Sequence, residues 1–314
     1  MSKIIDFGKK DLFGEASATA CFILWGLLPI YWSLFAGINP LVVLSNRIIY
    51  SALFLMLWHV FFAPAKFKLP DKRDLFLCFI SGALLAVNWG IYVYAVSIHA
   101  VLASSLGYFI CPLMLIGIGI LTLGEERSKD KMFALKFLLL GLVPILMEAN
   151  VKTVLIAFGL GLSLAFYGVV KRVLRISSVS ALTTESLLLV PFAFLYLITV
   201  QLPERGVAGF FVDLTSGPVT VLPLLLFGMA SSRVSFSTLG IIQYISPTLQ
   251  LVCGLWFFGE KPSSMVLTSF ILIWIGILSR IILGAMKPEV DLTNVSRRLL
   301  HLIPLITFRR SRPR

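Results

Sequence analysis

The sequence predicts an all-α polytopic membrane protein with ten transmembrane helices arranged as two inverted five-helix repeats. Three observations predict this fold: an apolar composition, ten apolar runs of membrane-spanning length, and a motif that recurs five runs later. Of 314 residues, 58% are hydrophobic and only 13% are charged, whereas a soluble chain needs charged side chains on every face. The long uncharged stretches are therefore expected to face lipid.

Apolar runs of about 20 residues cross a hydrocarbon core, and the sequence contains ten of them. The eighth run is short and begins with Gly217 and Pro218. Without it, the spans of the second half would no longer correspond one to one with those of the first. The predicted spans are 16–36, 40–62, 74–96, 100–122, 131–148, 153–172, 181–201, 217–232, 236–258 and 264–284.

The basic residues indicate orientation and not a nucleic-acid partner. The net charge is +12, but the cations lie in short loops and in the C-terminal tail, with no folded soluble region to form a groove. If both ends are cytoplasmic, the opposite side holds only Lys152, Arg205 and Lys261. Because positive loops stay in the cytoplasm, an even number of spans is favoured, with both termini inside.

A motif in the fourth run recurs in the ninth. Pro112 precedes Gly124-Glu125, and Pro247 precedes Gly259-Glu260, each element 135 residues later (112 to 247 and 124 to 259). Runs that are five spans apart cross the bilayer in opposite directions, which is the relation between inverted repeats.

Two further matches fit this offset less well, since Leu106-Gly107 and Leu239-Gly240 lie 133 residues apart. Trp25-Gly26 and Tyr167-Gly168 lie 142 apart, a difference that loop lengths would absorb. The predicted division is a cytoplasmic N-terminal segment 1–15, a first repeat 16–148, a second repeat 149–284 and a basic cytoplasmic tail 285–314.

Short segments spread over residues 16–284 carry a more specific resemblance. They are Trp25-Gly26 with Pro29 and Tyr31, Asn46 to Ser51, Asn88-Trp89, Ala103 to Ile110 with Pro112, Leu123 to Glu125, Phe166 to Gly168, Glu185 before Pro191, Ser237 to Gly240, Gln243 to Ile245, Pro247-Thr248, and Gly259 to Pro262. These segments resemble the RarD-type branch of the EamA-like drug/metabolite transporter superfamily. The resemblance implies ten spans, a bacterial inner-membrane location, and secondary transport without ATP or covalent chemistry. Asn46 departs from the pattern, where a histidine is expected, and puts a proton-linked role there in doubt.

Two ionisable residues at membrane depth are candidates for the substrate pathway, because such groups are costly in lipid. Arg47 stays charged and lies about seven residues inside the second span; snorkelling to the outer interface is the alternative. Glu185 lies near the cytoplasmic end of the seventh span; capping of that span is the alternative. Their spacing argues against a direct salt bridge.

Polar and aromatic side chains within the spans form the rest of the predicted pathway. Flat rings with amides and hydroxyls suit an organic solute, through stacking, cation–π contact and hydrogen bonds. Membrane-interface belts are the alternative for Trp89 and Tyr92. The set is Trp25, Asn88, Trp89, Tyr92, Tyr108, Tyr167, Gln243 and Tyr244.

Pro112 and Pro247 interrupt repeat-related helices and are predicted hinges for alternating access; tolerated curvature is the alternative. The basic tail either lies along the anionic leaflet, with membrane lipid as its partner, or is disordered.

The predicted function is secondary transport of a small organic metabolite. An amine, an amino-acid-like molecule or an adenosyl metabolite fits the aromatic set, and exchange of S-adenosylmethionine for S-adenosylhomocysteine is the alternative within the same fold. A lipid-modifying enzyme or a channel is the alternative of another class. The four cysteines lie in apolar runs without metal-ligand spacing, and no enzymatic motif occurs. We therefore expect no metal, no cofactor and no catalytic residue, and a homodimer is a further option.

Overall fold

All the regular structure that the computed structural model describes is helical. It describes residues 11–62, 70–97, 101–125, 129–202, 204–259 and 261–285. The helices are α1 (Leu12–Trp32), followed by a 3₁₀ turn (Ser33–Phe35), α2 (Pro40–Phe62), α3 (Lys72–Ser97), α4 (Val101–Thr122), α5 (Lys129–Glu148), α6 (Val151–Val173), α7 (Ser178–Thr199), α8 (Gly206–Ser231), α9 (Phe236–Gln243), α10 (Ile245–Phe257) and α11 (Ser264–Ala285).

The helix lengths match a bilayer. At 1.5 Å per residue, a helix of about 20 residues spans roughly 30 Å, the thickness of the hydrocarbon core. Within the described residues, seven segments are long and apolar enough to cross a membrane, the seventh being α9 and α10 together. Large apolar side chains such as Phe61, Phe192 and Trp256 are exposed, as expected where helices face lipid. The chain is thus an all-α polytopic membrane protein, as predicted.

Side-chain caps begin several helices where the sequence predicted boundaries. Asn150 accepts a hydrogen bond from the Thr153 amide at the start of α6, and Ser177 accepts one from the Ser180 amide at the start of α7. Such caps satisfy backbone donors that have no partner within the helix. The side-chain cap of α7 is thus Ser177, and Glu185 lies eight residues further along the chain.

The prediction for the eighth span, 217–232, was wrong at its start. The helix α8 begins at Gly206 and continues through Gly217, Pro218 and Pro223. Side chains from neighbouring helices contact this stretch, since Ser51 donates to the Gly217 carbonyl and Cys21 to the Pro223 carbonyl. The helix thus continues through glycine and proline where other helices pack against it.

The predicted ninth span, 236–258, is two helices and not one. They meet at Tyr244, three residues before Pro247. A proline ring clashes with the carbonyl four residues earlier, here that of Gln243, which accounts for the break at this place. Pro112 lies inside the continuous helix α4.

The main helix contacts are preserved when the two halves of the chain are exchanged. The helix α1 packs against α8 and α10, and its counterpart α6 packs against α3 and α4. The helix α2 packs against its own counterpart α7, and α5 against α11.

Glycines 135 residues apart occupy matching places in this packing. A Cβ at Gly82 would lie 3.6 Å from the carbonyl oxygen of Glu185, and one at Gly217 would lie 2.4 Å from that of Tyr50. Both the glycines and the residues they face are 135 positions apart (82 to 217 and 50 to 185). Gly124 and Gly259, also 135 apart, both have positive φ, 66° and 63°.

The same offset corrects the match proposed for Gly26. Gly26 packs against Ser246, and Gly161 packs against Cys111, so each contact is the image of the other at an offset of 135 (26 to 161 and 111 to 246). The structural counterpart of Gly26 is therefore Gly161, and the match to Gly168 at offset 142 was wrong.

The bundle has two ends, which we name by residues. The Gly37 end carries the turn between α1 and α2, and the Arg233 end carries the turn between α8 and α9. Ion pairs lie at both: Arg205 with Asp213 near Gly37, and Arg233 with Asp11 at the other.

Candidate functional site

A cavity of about 240 Å³ lies among helices from both halves of the chain. Its walls come from α1 to α4 on one side and from α6, α8 and α10 on the other. The lining residues are Trp25, Leu28, Pro29, Trp32, Arg47, Leu85, Asn88, Trp89, Tyr92, Tyr108, Leu164, Thr220, Leu224, Gln250, Gly254 and Phe258.

Two helices face the cavity with the same spacing. Residues at positions i, i+3, i+4 and i+7 share one face of a helix. The two sets are Trp25, Leu28, Pro29 and Trp32 on α1, and Leu85, Asn88, Trp89 and Tyr92 on α3. Trp32 was missing from the predicted set, although it follows Trp25 by two helical turns, and this spacing could have identified it.

Arg47 is held between two aromatic rings at the cavity wall. Its guanidinium carbon lies 4.9 Å from the ring centre of Trp32 and 4.3 Å from that of Trp89. Its Nε is buried and has no hydrogen-bond partner among the described residues. Cation–π contacts thus fix the guanidinium, and no described carboxylate pairs with it.

A second cavity, of about 330 Å³, adjoins the first at the Gly37 end. Trp32, Arg47, Trp89 and Tyr92 line both cavities. The second also touches the turn at Gly37. Arg47 therefore lies where the inner cavity meets a vestibule at the Gly37 end.

The structure brings together six of the ten predicted pathway residues. These line the inner cavity: Trp25, Arg47, Asn88, Trp89, Tyr92 and Tyr108. Asn88 also donates to the Leu160 carbonyl and to Ser163, both on α6. The other four, Tyr167, Glu185, Gln243 and Tyr244, do not line it.

Glu185 belongs to a buried cluster nearer the Arg233 end. One carboxylate oxygen accepts from Ser81 at 2.6 Å and from Lys171 at 3.0 Å. The other accepts from the Tyr167 hydroxyl at 3.2 Å. Glu185 and Arg47 therefore have separate partners, in agreement with the spacing argument.

Apolar side chains separate this cluster from the cavity. Leu85, Leu164 and Leu224 line the cavity, and the ring of Phe227 stacks on Tyr167 with centroids 5.8 Å apart. Phe227 also contacts the ring of Trp25. The cavity is thus bounded by a hydrophobic layer on its Arg233 side.

Gln243 and Tyr244 lie at the junction of α9 and α10. Gln243 accepts a weak hydrogen bond from the thiol of Cys111 on α4, and the Tyr244 hydroxyl donates to the Phe109 carbonyl. Both residues are buried. They tie the helix break to α4.

Besides Trp32, two further polar residues of the cavity and one anchor were not predicted. Thr220 and Gln250 line the cavity, and the buried Thr220 hydroxyl has no hydrogen-bond partner among the described residues. Glu125, which follows α4, accepts hydrogen bonds from the amides of Phe236 and Ser237 and from the Ser237 hydroxyl. It therefore caps the start of α9 from a different part of the chain. Its motif partner Glu260 lies outside the described residues.

Comparisons with known proteins agree with the fold and with the resemblance seen in the sequence. No protein-family model matches the chain. A crystal structure of another protein superposes with a TM-score of 0.69 at 15% identity, covering 87% of this chain and 99% of that one; at this identity it supports the fold alone.

Curated relatives identify the family. The chain is 30% identical over 278 residues to protein RarD of Escherichia coli (strain K12), covering 86% of this chain and 94% of the relative. It is 32% identical over 282 residues to protein RarD of Salmonella typhi, with coverage of 86% and 94%. It is 33% identical over 278 residues to the uncharacterized transporter YojE of Bacillus subtilis (strain 168), with coverage of 84% and 92%. The chain therefore belongs to the RarD family of membrane transporters, a branch of the drug/metabolite transporter superfamily.

Proposed function

We propose that this protein is a secondary-active transporter that moves a small organic metabolite across the bacterial inner membrane by alternating access. The observation that carries the proposal is the cavity of about 240 Å³, because helices from both halves of an inverted repeat line it. Rocking one half against the other would close the vestibule at the Gly37 end and open the Arg233 end. The names of the relatives, which include transporters, support this function over an enzymatic one.

In this proposal the six cavity residues form the binding site. The other four predicted pathway residues would line the route only when the Arg233 end opens. Pro247, next to the break at Tyr244, serves as a hinge, and Pro112 as its counterpart in the first half. The repeats keep the predicted boundaries, 16–148 and 149–284, and both termini are cytoplasmic.

The cavity volume bears on the choice of solute. It is below the range of about 300 to 1,000 Å³ that is usual for drug-sized ligands, which favours a metabolite of amino-acid size. S-adenosylmethionine is larger and would need the vestibule as well, so it remains the second candidate.

Counterflow into proteoliposomes tests the proposal. Purified protein is reconstituted, and uptake of labelled amino acids, organic acids, amines and S-adenosylmethionine is measured with and without the same unlabelled solute trapped inside. A transporter gives saturable uptake that the trapped solute accelerates. Flux that rises linearly with concentration would indicate a channel instead.

The same assay separates the two candidate solute classes. Competition by S-adenosylmethionine and S-adenosylhomocysteine, each against the labelled solute that is transported, identifies the adenosyl exchange. Failure of both to compete removes that option and leaves the transporter proposal intact.

A further inference from the structure

The cavity contains one charged side chain, that of Arg47, and no acidic side chain among the described residues that line it. A guanidinium in the membrane interior is costly, by about 2.5 kcal/mol or more. Such a charge is normally offset by a carboxylate or by several hydrogen bonds. Arg47 has two aromatic rings instead, and its buried Nε has no acceptor among the described residues.

Asp213, an acid at the same end of the bundle, is already engaged. Asp213 pairs with Arg205 and also interacts with the side chain of Asn46. Glu185, the acid that the sequence placed in the pathway, is bound by Lys171, Tyr167 and Ser81. Neither carboxylate is available to Arg47, so within the described part of the chain no negative side chain compensates the positive charge at the cavity.

The guanidinium carbon lies over both tryptophan rings, and neither ring supplies an acceptor for its N–H groups. Guanidinium N–H groups lie in the plane of the group and match the two oxygens of a carboxylate. Trp32 and Trp89 hold the guanidinium at the point where the cavity meets the vestibule, and Arg47 lines both. An anion entering from the Gly37 end would therefore meet Arg47 first.

The remainder of the cavity suits the organic part of the same solute. Trp25 and Tyr108 offer aromatic surface, and Leu85 and Leu164 close the far side. The buried Thr220 hydroxyl, which has no described partner, offers one hydrogen bond to a polar substituent.

We infer that this transporter binds small organic solutes that carry a carboxylate, with Arg47 as the carboxylate receptor and the aromatic cavity beyond it holding a flat or apolar group. The inference rests on the proposed function and specifies its substrate class. It excludes amines that carry no acid group, which would bring a second positive charge against Arg47.

Three matched probes distinguish anion, neutral molecule and cation at nearly constant shape: phenylacetate, phenylacetamide and phenethylamine. Benzoate with benzamide, and indole-3-acetate with indole-3-acetamide, repeat the first comparison in other sizes. Binding to the full-length protein in nanodiscs is measured by isothermal titration calorimetry. We expect at least one carboxylate to bind about ten- to one-hundredfold more tightly than its amide, the effect of a hydrogen bond to a charged group.

Variants of Arg47 test whether this residue gives the preference. Arg47→Gln should abolish the difference between acid and amide, and Arg47→Lys should retain part of it. Lys152→Gln is the matched control, because Lys152 is an exposed cation at the Gly37 end outside the cavity, and its preference should equal that of the wild type. Size-exclusion elution and melting temperature verify that each variant is folded.

Two results would overturn the inference: no carboxylate binding more tightly than its own amide, or an unchanged preference in Arg47→Gln. Neither depends on flux, so the inference can fail while saturable counterflow of some other solute stands. Conversely, selective binding of carboxylates with no counterflow of any solute would refute the transporter proposal alone.

Discussion

The ammonium nitrogen of Lys171 lies 3.0 Å from a carboxylate oxygen of Glu185, and both side chains are buried in the bundle. Through Ser81, the same carboxylate also joins α7 to α3. The ion pair itself lies within the second half of the chain, and the Ser81 hydrogen bond ties it to the first half. Because each charge offsets the other, the pair presents no net charge to the cavity.

Breaking this pair should destabilise the protein. Glu185→Gln leaves the Lys171 ammonium buried without a counter-charge, which typically costs about 3–5 kcal/mol. We expect a clearly lower melting temperature in detergent and reduced abundance in the membrane. Glu148→Gln, which alters an exposed contact to Ser263, should leave both unchanged.

A double substitution separates lost charge balance from lost packing. Lys171→Met with Glu185→Leu removes both charges and should recover part of the stability lost in Glu185→Gln. If Glu185→Gln melts at the wild-type temperature, the pair contributes nothing to stability.

The repeat-related glycines should respond differently to alanine. Gly217→Ala places a methyl group 2.4 Å from the backbone carbonyl of Tyr50, whereas Gly82→Ala places one 3.6 Å from that of Glu185. The first contact requires helices α2 and α8 to move apart, at a cost of about 1–3 kcal/mol. The second is an ordinary van der Waals distance and should be nearly neutral.

Thermal unfolding of the two alanine variants side by side measures this difference. Because the sites are equivalent in the repeat, each variant controls for the other. Equal melting temperatures would contradict the close approach of α8 to Tyr50.

Glu125 should stabilise the start of α9. Its carboxylate accepts from two amides and a hydroxyl there, and Glu125→Gln removes the charge that strengthens these bonds. We expect a loss of about 1–3 kcal/mol and faster hydrogen exchange of the amides at 236 and 237. The exposed Glu204 is the control, and exchange that stays as slow in Glu125→Gln as in Glu204→Gln would disprove the cap.

Cysteine labelling tests the proposed orientation. The native cysteines are buried, so their background labelling should be low. Ser33→Cys, exposed at the Gly37 end, should react with a membrane-impermeant maleimide in intact cells, whereas Ser232→Cys, exposed at the Arg233 end, should react only after permeabilisation. The reverse pattern would place both termini outside.

The sequence predicted the helices well because length and apolar composition determine what can cross a bilayer. The second span, 40–62, agrees at both ends with α2. Prediction from the sequence failed where tertiary contacts override the local preference of the chain. Gly217 and Pro218 often end a helix, but α8 continues through both, with Gly217 packed closely against Tyr50 of α2.

The candidate site was predicted only in part, because the sequence shows which residues share a helix face but not which helices meet. A helical stripe such as Asn88, Trp89 and Tyr92 reveals a shared face, and that face does line the cavity. Sequence spacing does not show which helices converge, so Tyr167 and Glu185 were grouped with residues from which a hydrophobic layer separates them. Nothing in the sequence around Thr220 and Gln250 indicates that their side chains line a cavity.

The offset of 135 residues holds for the backbone but not for charge. The counterpart of Arg47 is Leu182, and the counterpart of Glu185 is Tyr50. A bundle whose two halves match closely in backbone is therefore chemically polarised from one end to the other. Inward and outward passage would meet different electrostatic landscapes, so influx and efflux of the same solute need not have the same apparent affinity.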